Sequence, residues 1–246
     1  MDRSVYIAMT GATQIMQAQD VVSHNLANAS TTGFKSELDA FQSLQVQGPG
    51  SPTRINAVAQ GLGRDDSQGQ LQSTGRALDV AVRGSGWIAV QAPDGSEAYT
   101  RAGNLQLTAD GTLTDAAGNP VLGNGGPISV PDSAQVVIGD DGTISSVPLG
   151  QGPNTLTQID RIKLVNPDPT QLSKGADGLL HLAGGATADA DPGVQLAPQM
   201  LEGSNVNPSA ELVRMISLSR QYEMQVRSIK TSEDNADASL KLLQAS

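Results

Sequence analysis

His24 and His181 are the only side chains here whose ordinary pKa lies near neutrality. Acid–base or metal chemistry would have to start from them or from the 25 Asp and Glu residues. Neither histidine has a second histidine one helical turn away, and the chain has no cysteine. The ligand spacings of a transition-metal site are therefore missing. His24 reads as a polar or interface residue near a helix end, and His181 as a strand residue. The carboxylates collect in turns, at Asp65–Asp66, Asp140–Asp141 and Asp189 near Asp191. There they serve turn geometry and solvation. A calcium site at Gly139-Asp140-Asp141-Gly142 lacks the spaced oxygen ligands of a calcium loop. Gly84-Ser85-Gly86 lacks the spacing of a nucleophile elbow, and no Gly-Lys-Ser/Thr phosphate cradle exists. No catalytic, cofactor-binding or metal residue is assigned.

The elements that would position any function divide sharply. Residues 1–47 hold only Gly11 and Gly33 and no proline, and residues 209–246 hold neither type. All 13 prolines and the rest of the 27 glycines lie between. In the first segment Val5, Ala8, Ala12, Ile15, Gln19, Val22, Leu26 and Ala29 fall at alternating spacings of three and four, the seam of a coiled coil. This helix is expected to stop near Ser30–Thr32, with Gly33 closing it in the left-handed conformation. The last segment repeats the pattern with Leu212, Met215, Ser219, Tyr222, Val226, Ile229, Ala236, Leu240 and Leu243. Asn207 as N-cap and Pro208 at the first helical position mark its start.

A lone amphipathic helix leaves its stripe in water. The two terminal helices are expected to pack on each other and then on further copies. A helical hairpin that closes a single globular domain is the alternative that spacing leaves open. The middle of the chain reads as antiparallel β. Short runs at Leu78–Val82, Trp87–Gln91, Ala98–Arg101, Asn104–Thr108, Gly111–Asp115, Gln135–Ile138 and Asp160–Val165 are separated by turn pairs such as Asp94–Gly95, Asp110–Gly111, Asp141–Gly142 and Asp177–Gly178. The expected fold class is α+β, with N- and C-terminal helices pairing as a coiled coil around a mainly-β antiparallel middle domain. The expected domains are a helical tail from 1–34 and 208–246, an extended connector over 35–75, and a β-rich outer domain over 76–207. With one Trp, three Tyr and two Phe, the core is expected to be shallow.

The net charge of −10 lies almost wholly in the middle, because residues 209–246 hold five basic and five acidic side chains. Nucleic acid and anionic membrane need clustered Lys and Arg, so neither is an expected partner. No 18-residue apolar span is present, which argues against a membrane-spanning segment. No cleaved secretory signal is read in residues 4–30, which are broken by Gln14, Gln17, Gln19, Asp20, His24 and Asn25.

Three ordered blocks carry a resemblance: NLANASTTGFK at 25–35, LDVAVRGSGWIAVQAPDGSEAYTRAGNLQLTADGTLTDAAGNPVLG at 78–123, and LEGSNVNPSAELVRMISLSRQYEMQVRSIKT at 201–231. Together they resemble the rod and hook proteins of the bacterial flagellum. Length and the opening MDRSVYIAMTGA are most similar to the proximal-rod members, with the distal-rod members as the alternative. The resemblance implies a structural subunit, not an enzyme. Its partners would be other copies of itself, other rod proteins and the flagellar type III export apparatus. Its place would be the periplasmic rod of the basal body, reached without a cleaved signal peptide, where the hollow shaft carries torque. The resemblance also implies assembly roles for Asn25, Leu26, Ala27, Asn28, Thr31, Gly33 and Phe34, for Asn205 and Asn207, and for Met215, Arg220 and Tyr222. Asn28 and Thr31 would cap the first helix and Phe34 would anchor the connector. A rival from another class, an enzyme acting on cell-wall glycan, would need an acid/base carboxylate that no segment offers.

Overall fold

The computed structural model describes residues 3–45, 55–131, 133–148 and 155–244. The chain divides into two compact units. Unit 1 takes residues 1–29, 36–65 and 206–246; unit 2 takes residues 30–35 and 66–205.

Unit 1 holds the two helices, α1 (Arg3–Ala27) and α2 (Pro208–Gln244), and a hairpin of β1 (Glu37–Gln45) and β2 (Ile55–Arg64). α2 starts where its cap dictates. The Asn207 side chain accepts from the backbone N–H groups of Ser209 and Ala210, at 3.1 and 3.2 Å. Those amides would otherwise lack intrahelical partners. α1 ends earlier than its periodicity suggests. Asn28 supplies both a backbone N–H and a side-chain amide to the His24 carbonyl, at 3.2 and 2.9 Å. With that carbonyl satisfied, no glycine is needed to close the helix, and Gly33 serves elsewhere.

The stretch 35–75, expected as an extended connector, contains a long hairpin. β1 and β2 pair antiparallel from Glu37 opposite Arg64 to Gln45 opposite Ile55, with a bulge at Leu38/Asp39. Pro49 and Pro52, within that stretch, lie outside the described residues. Two strands alone are marginal in water. Here the hairpin packs against α1.

Among the described residues, the strands of unit 2 pair antiparallel. Its strands are β3 (Leu71–Ser73), β4 (Val80–Arg83), β5 (Trp87–Gln91), β6 (Glu97–Thr100), β7 (Gln106–Leu107), β8 (Leu113–Thr114), β9 (Ser133–Ile138), β10 (Thr143–Pro148), β11 (Thr157–Arg161), β12 (Leu164–Val165), β13 (Leu172–Lys174), β14 (Leu180–Leu182), β15 (Gln195–Pro198) and β16 (Met200–Glu202). The largest sheet has the order β12-β5-β6-β14-β13, a second has β11-β10-β9, and β15-β4, β16-β3 and β7-β8 are paired ribbons. Four Asp-Gly pairs each turn one strand onto the next: β5 to β6, β7 to β8, β9 to β10 and β13 to β14.

The core is deeper than its aromatic content suggests. β5 is buried on both faces. Ile88 and Val90 join Val80, Val82, Leu105, Leu113, Ile144 and Leu196 on one side. Trp87 and Ala89 join Tyr99, Val165, Leu172 and Leu180 on the other. Small branched side chains that interdigitate fill the interior without large rings. Burial pushes the Tyr99 phenol well above its ordinary pKa, and its oxygen accepts from the Ala188 N–H at 2.7 Å.

Candidate assembly interface

The two helices run antiparallel along each other. Space beside Gly11 is taken by Gln225, while Asn25 lies 3.5 Å from the Glu211 carboxylate. Between these points Ile15, Ala18, Val22 and Leu218 form a buried cluster flanked by Met215 and Tyr222. On α1 the buried positions are Ala8, Ala12, Ile15, Ala18, Val22 and Asn25. This stripe follows the seam read from sequence as far as Ile15, then turns onto Ala18 and Asn25 in place of Gln19 and Leu26. Val5 and Leu26 are half-buried.

On α2 the sequence stripe divides between two faces. Met215, Tyr222 and Ile229 are half-buried, the first two against α1. Leu212 and Val226 are exposed. The side chains of Leu240, Leu243 and Ala236 lie outside the described residues. Among the described side chains of α2 the most fully buried, Leu218 at 4 % exposure, is not on that stripe. The outer face is nonetheless apolar. Val213, Ile216 and Met224 are 68 %, 55 % and 61 % exposed. They line a shallow groove of about 390 Å³ together with Ser217, Arg220 and Gln221. α1 carries a matching stripe of Tyr6, Met9, Thr13 and Met16, all exposed. The Thr13 hydroxyl donates to the Met9 carbonyl at 3.0 Å, so it does not demand water.

The hairpin root is fixed to both helices by polar contacts. Asn25, fully buried, donates to the Glu37 carbonyl at 3.0 Å and accepts the Glu37 N–H at 2.8 Å. Its side-chain amide thus pairs with Glu37 as a neighbouring strand would. His24 Nδ1 sits 3.2 Å from the Glu37 carboxylate, and Arg214 pairs with Asp39.

The remaining residues implied by the resemblance stand in unit 2. Thr31 is exposed, and its carbonyl accepts the Phe34 N–H in a turn. It does not cap α1. Gly33, at φ +70°, lies flat on the Arg101 backbone, whose atoms a Cβ would approach to 2.3 Å. Its N–H donates to the Glu202 carbonyl at 2.7 Å. The Phe34 ring receives the Lys174 ammonium at 4.9 Å. Asn205 donates from its backbone to the Phe34 carbonyl at 3.4 Å and from its side chain to the Ser67 carbonyl at 3.2 Å.

Beneath this strap lies a charge cluster that sequence reading did not single out. Lys35, Arg101 and Glu202 are all buried. Glu202 accepts from Lys35 Nζ at 2.6 Å, from the Gly69 N–H at 2.8 Å and from Arg101 at 2.9 Å. Lys35 also donates to the Ser67 carbonyl at 2.6 Å. Arg101 donates to the Gly84 carbonyl at 2.7 Å and lies 5.1 Å over the Trp87 ring. Desolvation pushes the Lys35 ammonium below its ordinary pKa, against the opposing pull of Glu202. Each of the three residues lies inside one of the three blocks quoted above, so their co-occurrence was the available signal. Pairing them required the fold.

Three carboxylates elsewhere act as turn locks. Asp94, Asp141 and Asp168 accept from the hydroxyl and backbone N–H of Ser96, Thr143 and Thr170 respectively. These bonds hold all three carboxyls below the usual carboxylate range, opposite to the shift a general acid needs. Among the described residues, no helix is long and apolar enough to cross a membrane.

Comparison with known proteins agrees along the whole chain. Residues 5–35 match the family described as flagella basal body rod protein. Residues 81–146 match the flagellar hook protein FlgE/F/G D1 domain, and residues 197–242 the C-terminal part of the flagellar basal body rod FlgEFG proteins. The flagellar basal-body rod protein FlgF of Salmonella typhimurium is 41 % identical over 252 residues, covering all of both chains. FlgF of Escherichia coli is also 41 % identical over its full length. FlgG of Buchnera aphidicola is 36 % identical over 94 % of this chain and 95 % of its own. Identity of this extent, with the terminal helices and the β-rich middle each matched in order, means that the chain belongs to the flagellar basal-body rod protein family.

Proposed function

We propose that the chain is a proximal-type rod subunit whose terminal helices pair as an antiparallel coiled coil and pack sideways onto neighbouring subunits. As a member of the rod family it is a structural component of the basal body and not an enzyme. The observation that supports the packing mode is the double-faced character of α2. One face meets α1 through Leu218, while Val213, Ile216 and Met224 on the other are left in water. A helix with two apolar faces needs two partners, and one chain supplies one. Other copies and other rod proteins supply the second, and stacking these pairs builds a hollow shaft that carries torque across the periplasm. Full-length identity of 41 % to FlgF, against 36 % to FlgG over slightly less of the chain, supports the proximal assignment. Delivery by the flagellar export apparatus belongs to the same reading.

The test is recovery of an epitope-tagged chain in detergent-purified hook–basal bodies from a flagellated strain lacking its own copy. The tag should sediment with the basal body. A tag found only in the soluble periplasmic fraction of motile cells refutes the assignment.

A further inference from the structure

The strap Ser30–Lys35 belongs to unit 2, although it directly follows the end of α1 in the chain. It lies against β16, whose Glu202 is paired through its backbone on both sides. Glu202 stands opposite Leu71 of β3 in the ladder, and its carbonyl takes the Gly33 N–H. The chain therefore enters unit 2 from α1 and leaves it toward α2 at neighbouring positions, tied together by Gly33 to Glu202 and Asn205 to Phe34. Close backbone approach makes this joint tight. Besides Gly33, a Cβ on Gly69 would fall 2.0 Å from the Gly203 carbonyl oxygen.

We propose that the strap and the buried Lys35–Glu202–Arg101 cluster form a clasp on which closure of unit 2 depends. Residues 66–205 alone would bury Glu202 with Arg101 as its single cation. Glu202 would then lose a short charge-assisted hydrogen bond in a site without water to replace it, which costs more than the net worth of the bond. Lys35 arrives from the far side of the β1–β2 hairpin in sequence. The body's fold is thus conditional on chain outside its own continuous span. Withdrawing Lys35 breaks the clasp as a whole, because Glu202 Oε1 accepts both Lys35 and the Gly69 amide. The other charge facing Lys35 is Asp66, a weaker influence than Glu202 or Arg101. This device is independent of how the terminal helices assemble.

Amide hydrogen exchange on the full chain tests it. In the wild type, the Gly33 and Gly69 amides should exchange as slowly as that of Ala89, which donates to the Lys163 carbonyl in the core. Lys35→Met should accelerate Gly33 and Gly69 together by about 100-fold or more. A Gly33 amide that exchanges freely in the wild type while Ala89 is protected overturns the proposal. So does a Lys35→Met chain with Gly69 unchanged.

Discussion

Two positions on α2, two residues apart, separate folding from assembly. Leu218 is 4 % exposed against α1, while Ile216 is 55 % exposed on the opposite face. Leu218→Ala removes a side chain packed among Ile15, Ala18 and Val22. It should destabilise unit 1 by about 2–4 kcal/mol, the usual range for a truncated core leucine. Ile216→Asp changes a side chain that touches little in the single chain, so its effect on unfolding should stay within about 0.5 kcal/mol. In a lateral contact it forfeits roughly 1 kcal/mol from the half of the isoleucine still to be buried. It also forces a carboxylate into an apolar seam, at a cost of about 2 kcal/mol or more. Their sum is on the order of 3 kcal/mol, or about 100-fold in association per contact. Thermal unfolding followed at 222 nm reads the first effect, and swimming radius with basal-body incorporation reads the second. The expected pattern is a destabilised Leu218→Ala chain beside a normally folded Ile216→Asp chain that is absent from basal bodies. An Ile216→Asp chain that incorporates and swims normally refutes the two-faced helix.

Val226→Asp, on the exposed side of α2, should likewise block motility while leaving the urea midpoint of unit 2 unchanged, with fluorescence of Trp87, the single tryptophan, as readout. Asn25→Ala leaves the Glu37 N–H and carbonyl without their side-chain partner and should cost unit 1 about 2–3 kcal/mol, measured by denaturant unfolding. Arg101→Gln removes the cation above Trp87 and one of the two cations on Glu202, so Trp87 emission should shift and its unfolding midpoint should fall. Asp94, Asp141 and Asp168 have folded pKa values below the ordinary 3.8, so they contribute stability above pH 3.8 that is lost as pH falls through their folded values. Replacing all three with Asn should flatten the acid-induced fall in unfolding midpoint between pH 4 and pH 2.

Local rules made several elements legible. Asn207–Pro208 fixes the start of α2 because the cap and the missing N–H act within one turn of chain. The Asp-Gly pairs fix four hairpins because the turn conformation is a property of two residues. The hairpin β1–β2 is not legible locally, since its Gln, Ser and Gly content hides two strands whose sequences are separated by Pro49 and Pro52. β15 and β16 are hidden for a similar reason. They pair with β4 and β3, more than a hundred residues earlier, and nothing nearby announces that.

Helical ends, a β body and apolar stripes seeking partners can all be read locally, because periodicity and turn chemistry are written within a few residues. The tertiary structure alone decided which half of each stripe turns inward, since helix phase is set by what α1 and α2 meet. It alone decided, too, that Gly33 buttons a strap instead of ending a helix. And it alone joined Lys35, Arg101 and Glu202, because burial of a charge is settled by distant chain that arrives to cover it.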